Sequence, residues 1–229
     1  MPVEGSTPAD RRPVAARRLG IIQRLAAALA RANVSANTIS LSSVVFAVIS
    51  GGSLAATASV GDGTARALMM LAAAGMQLRL LANLLDGLVA VEGGRRTPAG
   101  ELYNEVPDRV SDAVVLIAAG FGISGNIHAG YVAAVLAIMT AYIRAVGKGA
   151  GAGSDFGGPM AKQQRMMLLS ACAIALAVLP VAWRPEATLG TQSFGLLGLG
   201  LIVIAAGSAL TCVLRLKRIA VRLHEGAQS

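Results

Sequence analysis

Residues 83–112 read NLLDGLVAVEGGRRTPAGELYNEVPDRVSD, and the reading of this stretch decides the reading of the rest. It carries Asp86, Glu92, Glu101, Glu105, Asp108 and Asp112, half of the chain's twelve acidic residues, yet long apolar runs flank it. A carboxylate inside hydrocarbon costs roughly 2.5–3.5 kcal/mol even on lenient insertion scales, so acids retained there point to function. Asn83, Asp86 and Ala90 fall at i, i+3 and i+7, one stripe of a helix. Glu101, Asn104, Glu105, Asp108 and Asp112 recur at steps of three and four and form a second stripe. Between them GGRRTP reads as a short polar loop. The spacing predicts two antiparallel helices whose ends turn oxygen-bearing faces towards each other at a membrane surface.

Composition supports a membrane setting. Hydrophobic residues make up 55% of the chain and charged ones 14%, and mean hydropathy is +0.64, which places it in the membrane class. The formal charge of +8 is the one feature that suggests nucleic acid. In a membrane chain such an excess reflects loops facing an anionic cytoplasmic leaflet. Four Phe, three Tyr and one Trp are too few for a base-stacking surface, so no nucleic-acid partner is expected. Cys172 and Cys212 sit in apolar runs and read as reduced packing residues. Gln23 and Arg24 interrupt the first apolar stretch, so no cleavable signal is expected.

Outward from the acidic stretch, the predicted class is an all-α integral membrane protein. Residues 1–12 read as a disordered polar tail and 13–34 as a basic amphipathic helix on the membrane surface, with Ile22, Leu25 and Leu29 on one side. Ser35 or Asn37 is placed to cap the next helix. Six apolar segments follow, at about 39–60, 66–91, 100–124, 128–147, 164–183 and 193–214, each with roughly the twenty residues that cross a hydrocarbon core. They make residues 35–215 a six-helix transmembrane domain, and 216–229 a basic cytoplasmic tail. Cations concentrate in the N-terminal region, around Arg95 and Arg96, around Arg144, Lys148, Lys162 and Arg165, and in the tail. The intervening loops hold Arg66 and Arg184, so the alternation predicts cytoplasmic termini and a cytoplasm-facing acidic cluster in the cytoplasmic (inner) membrane. The Gly-rich segment KGAGAGSDFGGPMAKQQR fits neither the dinucleotide nor the P-loop template and reads as a flexible linker. Lys162 and Arg165, at its far end, stand one helical step apart where an anion would be favoured.

Carboxylate and amide oxygens without His or Cys suit a hard cation, Mg2+ or Mn2+, rather than zinc. A divalent metal beside a basic, water-accessible pocket points to phosphoryl chemistry. An ion or proton pathway and a buried network that locks two helices together are the other readings open at this point.

The stretch resembles the motif of the CDP-alcohol phosphotransferases, D-x2-D-G-x2-A-R-x8-G-x3-D-x3-D. Here it stands in register as Asn83-x2-Asp86-Gly87-x2-Ala90-Val91-x8-Gly100-x3-Asn104-x3-Asp108. ANTIS at 36–40 is similar to the family's P-N-x-I-T lead-in, with Ala36 in place of proline. The resemblance implies six spans, a CDP-diacylglycerol donor and a small alcohol or alcohol phosphate as acceptor. It implies Asn83, Asp86, Asn104 and Asp108 at the metals, with Glu101 and Glu105 as substitute ligands, and Asp108 as the base. Asn37, Gly87, Ala90 and Gly100 would lie at the nucleotide, and Lys162, Arg165, Arg144 and Lys148 at the acceptor. A homodimer is a further implication. The departures are Asn83 and Asn104 for two aspartates and Val91 for the arginine, which leave a catalytically silent relative, or a small-solute or ion transporter, as the alternatives.

Overall fold

The structure, a computed structural model, describes residues 20–92 and 100–226. Its helices are α1 (Gly20–Arg31), α2 (Ala36–Ala56), α3 (Asp62–Glu92), α4 (Gly100–Phe121), α5 (Ile127–Gly149), α6 (Lys162–Val178) and α7 (Leu196–Gly226), with short 3-10 turns at Thr57–Ser59 and Val181–Trp183. Ala36–Ser59, Asp62–Val89, Ile127–Gly149 and Leu196–Gly226 are long and apolar enough to cross a membrane. The description fits a helical membrane protein. The two remaining long helices fall short for visible reasons: α4 carries the charged stripe and α6 has only 17 residues.

Local chemistry explains most boundaries. Ser35 caps α2, its Oγ accepting from the Thr38 N–H at 3.0 Å, so the cap is Ser35 rather than Asn37. Asn126 caps α5 through the Ala129 N–H at 3.0 Å. The fifth apolar segment was expected to run to 183, but α6 stops at Val178. Leu179 is extended before Pro180, as the proline ring requires of the residue preceding it. Pro107 lies inside α4 without ending it. At about 1.5 Å per residue α7 is roughly 46 Å long, and it continues as helix through most of the segment expected to be a tail.

The chain is not wholly helical. The loop expected near 184–192 folds on itself as β1 (Glu186–Leu189) and β2 (Gln192–Gly195), antiparallel, with Leu189 opposite Gln192 and Gly190 at φ +61° in the turn. Pairing satisfies backbone groups that would otherwise lie bare beside an apolar medium. Asn126 ties the hairpin to α5 by donating to Gln192 Oε1 at 3.1 Å.

Helix α2 packs on α3 and α4, α3 on α6, α4 on α5, and α5 on α7. Their shared core is rich in small residues, among them Ala47, Ala72, Ala119, Ala133 and Ala173. Small side chains let helix backbones approach closely, the packing that joins helices in lipid. Helix α1 begins at Gly20, and the earlier part of the surface helix expected at 13–34 lies outside the described residues. Ala26, Ile22 and Leu29 pack on Ala82, Leu85 and Val89 of α3, while Ile21 and Leu25 face outward. Of the stripe expected to face the membrane, Ile22 and Leu29 thus pack on protein and Leu25 is exposed.

The Gly-rich segment between α5 and α6 is pinned rather than free. Asp155 is buried and accepts from Arg218 Nε at 2.7 Å and from the Gly157 N–H at 2.8 Å. Met160 N–H donates to Thr211 Oγ1 at 3.0 Å, and Arg215 Nε donates to the Gly157 carbonyl at 2.9 Å. Gly158, at φ +127°, lies against the Thr211 side chain, where a Cβ would have no room. Burial alone would raise the Asp155 carboxyl, but the hydrogen bonds from Arg218 and Gly157 outweigh it and hold its pKa below the ordinary value. A depressed pKa gives a contribution that is complete above the ordinary carboxylate range and is lost as pH falls through the lowered value. Asp155→Ala is therefore expected to speed amide hydrogen exchange across 150–161 at neutral pH, while the wild-type segment should loosen only in acid. Equal exchange in both proteins at neutral pH would show that Asp155 does not hold the segment.

Candidate functional site

The charged ends of α3, α4 and α6 meet inside the helix bundle. On α4, Asp108 and Asp112 stand one turn apart and face the cations. Asp112 is 2% exposed and lies between two arginines, with Arg79 Nη1 of α3 at 2.8 Å and Arg165 Nη2 of α6 at 2.6 Å. Arg79 is completely buried. Its other amino group donates to the Asp108 carbonyl at 3.1 Å and reaches Asp108 Oδ1 at 3.5 Å. Arg165 also donates to the Met160 carbonyl at 3.0 Å. A buried charge is tolerated when it is paired and hydrogen-bonded, and each of these is.

Asp108 is the most heavily contacted carboxylate. Lys162 Nζ lies 2.6 Å from each of its oxygens, and Asn83 Nδ2 donates to Oδ1 at 3.0 Å. One turn along α3 from Asn83, Asp86 is 3% exposed and accepts from Ser40 Oγ of α2 at 2.7 Å. Asp86 Oδ1 and Asn83 Oδ1 are buried without a hydrogen-bond partner among the described residues, as are Ser111 Oγ of α4 and Ser208 Oγ of α7, whereas Asp112 Oδ1 has only its ion pair with Arg79. A buried acceptor left unpaired is costly, and in native structures it marks an unseen ligand or a site of strain.

The structure thus joins Asn83, Asp86, Asp108, Lys162 and Arg165 in one cluster, and separates other candidates from it. Glu105 pairs with Arg109 and Arg144. It does not supply charge beside Asn83, because it lies on the adjoining side of α4, as one residue's rotation demands. Arg144 is paired with Glu105 and lies over the Phe156 ring, 5.0 Å from its centre. Lys148 is exposed in the last turn of α5, Asn37 is exposed in the first turn of α2, and Gly87 is half-buried beside Asp86. Ala90, Gly100, Glu101 and Asn104 fall on α3 and α4, with side chains outside the described ones.

Sequence reading missed Arg79 and Ser40. Arg79 sits inside the apolar run at 66–91, and the cost that singled out the acids applies equally to an intramembrane arginine. Ser40 gave no signal of its own, since serine inside a helix ordinarily bonds its own backbone.

Two or three oxygen donors, further ones coming from water or a ligand's phosphates, are what Mg2+ or Mn2+ ordinarily takes from protein. Asp86 Oδ1 and Asn83 Oδ1 fit one such ion. Among the described residues no group of three or more His, Cys, Asp or Glu is placed to hold a metal.

Fold and site together define a multi-helix membrane protein with an oxygen-rich, charge-balanced cluster buried at one end. Among solved structures the chain is similar to phosphatidylinositol phosphate synthase (PgsA1) of Mycobacterium tuberculosis. The complex with manganese and citrate superposes with a TM-score of 0.68 at 22% identity, covering 86% of this chain and 88% of that one. The structure with CDP-DAG bound gives 0.67 at 22% identity, covering 88% and 94%. The apo form gives 0.64 at 21% identity, covering 86% and 94%. At such identities the likeness is one of fold. No family model and no curated protein sequence matches the chain.

Proposed function

We propose that the chain is a phospholipid-synthesis enzyme of the CDP-alcohol phosphotransferase type, moving a phosphatidyl group from CDP-diacylglycerol to an alcohol and releasing CMP. One observation carries this reading. The residues at three of the family motif's positions, Asp86 and Asp108 matching it and Asn83 in place of an aspartate, converge at one buried site, on a fold similar to a synthase whose structures contain manganese and CDP-DAG.

The donor lipid would lie with its diphosphate at this cluster and its acyl chains among the apolar helix faces. A divalent ion bound at Asn83 and Asp86 would neutralise charge on the diphosphate. Ser40 holds one Asp86 oxygen and so orients the other. Asp108 is the carboxylate to receive the acceptor's hydroxyl proton as the new oxygen–phosphorus bond forms and the bond to CMP breaks, its electron pair leaving with CMP. Because both Asp108 oxygens hold Lys162, one must come free of the ammonium to take that proton.

Lys162 and Arg165 are each already paired with a carboxylate. An acceptor phosphate would then share Lys162 with Asp108 rather than meet a bare cation. An alcohol phosphate remains the acceptor class that uses Lys162. The homodimer rests on the family resemblance.

Purified protein with Mg2+ and CDP-diacylglycerol should release CMP when offered the right member of an acceptor panel. Folded protein that binds no cytidine nucleotide with Mg2+ or Mn2+, yet carries ion flux in liposomes, would replace the enzyme reading with a transporter.

We further infer six spans, counting α4 and α6, with cytoplasmic termini and site, from the cation alternation. Asp62, Arg66 and Arg184 make a separate ion cluster at the other ends of these helices. Single cysteines at Gly61 and Glu186, both exposed, should react with an impermeant thiol reagent from the periplasmic side. Reaction from the cytoplasmic side alone would invert the topology.

A further inference from the structure

We propose that Lys162 supplies at Asp108 the positive charge that a second divalent cation would supply, so that the site takes one such ion, at Asn83 and Asp86. The inference rests on the phosphotransferase reading for its significance, but stands on geometry of its own. The ammonium of Lys162 reaches both Asp108 oxygens at 2.6 Å. The Asn83 amide donates to one of them at 3.0 Å, and Arg79 approaches the same atom. Mg2+ binds oxygen at about 2.0–2.1 Å, so an ion on Asp108 would have to displace these donors.

Asn83 explains why the arrangement is stable without an ion at that point. Two carboxylates at 83 and 108 would repel unless a cation lay between them. An amide turns its NH2 to Asp108 instead and keeps its oxygen for another partner. That oxygen and Asp86 Oδ1 are both buried without a hydrogen-bond partner among the described residues.

Charge leads to the same conclusion. Among the described residues three carboxylates, Asp86, Asp108 and Asp112, stand with three cations, Arg79, Lys162 and Arg165, so these six are formally neutral together. One divalent ion balances a lipid-linked diphosphate. A second would leave its charge uncompensated among buried arginines, which a low-dielectric interior penalises strongly. An ammonium bridging Asp108 and an arriving phosphate performs the electrostatic part of the missing ion's work.

The test uses the full-length protein in lipid nanodiscs with Mn2+ alone, counted by equilibrium dialysis and examined by electron paramagnetic resonance. The wild type should bind one Mn2+ per chain with the spectrum of an isolated ion, and Asp86→Asn should lose it. The double variant Asn83→Asp, Lys162→Met should bind two, with the spectrum of a spin-coupled pair. Two coupled ions in the wild type, or none, overturn the proposal, and so does a folded double variant that still binds one. Should the double variant fail to fold, the wild-type count and Asp86→Asn decide by themselves. CMP release in the same preparations separates the two claims. Release with two bound ions would leave the enzyme reading intact and remove this inference, whereas one bound ion without release would do the reverse.

Discussion

Asp112→Ala is expected to destabilise the folded chain by about 3–5 kcal/mol, the cost of breaking a buried ion pair by removing one partner. Arg79 and Arg165 both depend on it: the first is completely buried, the second 3% exposed, and they come from different helices. Without the carboxylate, two guanidinium groups would face each other across α4 with no compensating charge. Loss should appear as a lower midpoint in reversible SDS unfolding and a smaller monodisperse fraction in mild detergent. Replacing Arg79 by Met, Asp112 by Leu and Arg165 by Met together should recover much of the stability, because an apolar cluster of similar volume is often as stable as a buried ionic one. A change below about 1 kcal/mol for Asp112→Ala, the scale of a surface pair, would mean that the cluster does not hold α3, α4 and α6 together.

Asp108→Asn is expected to reduce kcat by about 10²–10⁴-fold, the usual contribution of a positioned general base. Binding of CDP-diacylglycerol should stay within a few-fold of wild type, since the amide keeps an oxygen for Lys162 and a similar volume. A fall in kcat and kcat/KM together marks an interaction made in the transition state. Were donor binding lost while kcat at saturation survived, Asp108 would be a binding residue and the base would lie elsewhere. The two variants differ by one helical turn, yet one should fail in folding and the other in chemistry. The reason is visible in the contacts: Asp112 is closed between arginines, whereas the Asp108 side chain keeps 13% of its surface exposed.

Much of the site was legible because intramembrane charge is expensive and its spacing is regular. Asn83, Asp86 and Asp108 stood out as polar residues at helical steps next to apolar runs, and the structure brings them together with Lys162. Glu105, a candidate substitute ligand one residue on from Asn104, pairs instead with Arg109 and Arg144. Which of two neighbouring positions on α4 faces α3 depends on how the helices rotate against each other, and that rotation is set by the packing of residues such as Val115, Leu116 and Ala119. The Gly-rich segment misled in a similar way. Its composition is that of a linker, but Asp155 in its middle finds arginines on α7, more than sixty positions further along.

The sequence by itself determined the membrane class, the approximate positions of the apolar helices, and the acidic stretch as the place where charge gathers. All three follow from local quantities: hydropathy, helical period and the cost of burying charge. Only the tertiary structure decided which cation meets which carboxylate. Lys162 is 54 positions from Asp108, Arg165 is 53 from Asp112, and Ser40 is 46 from Asp86, and nothing local pairs them. These pairings change the character of the site, turning residues that read as an open anion pocket beside a metal cluster into a charge-paired network in which Asn83 Oδ1 and Asp86 Oδ1 have no hydrogen-bond partner among the described residues. That difference arises because electrostatic pairing acts through space, across helices whose faces are chosen by packing.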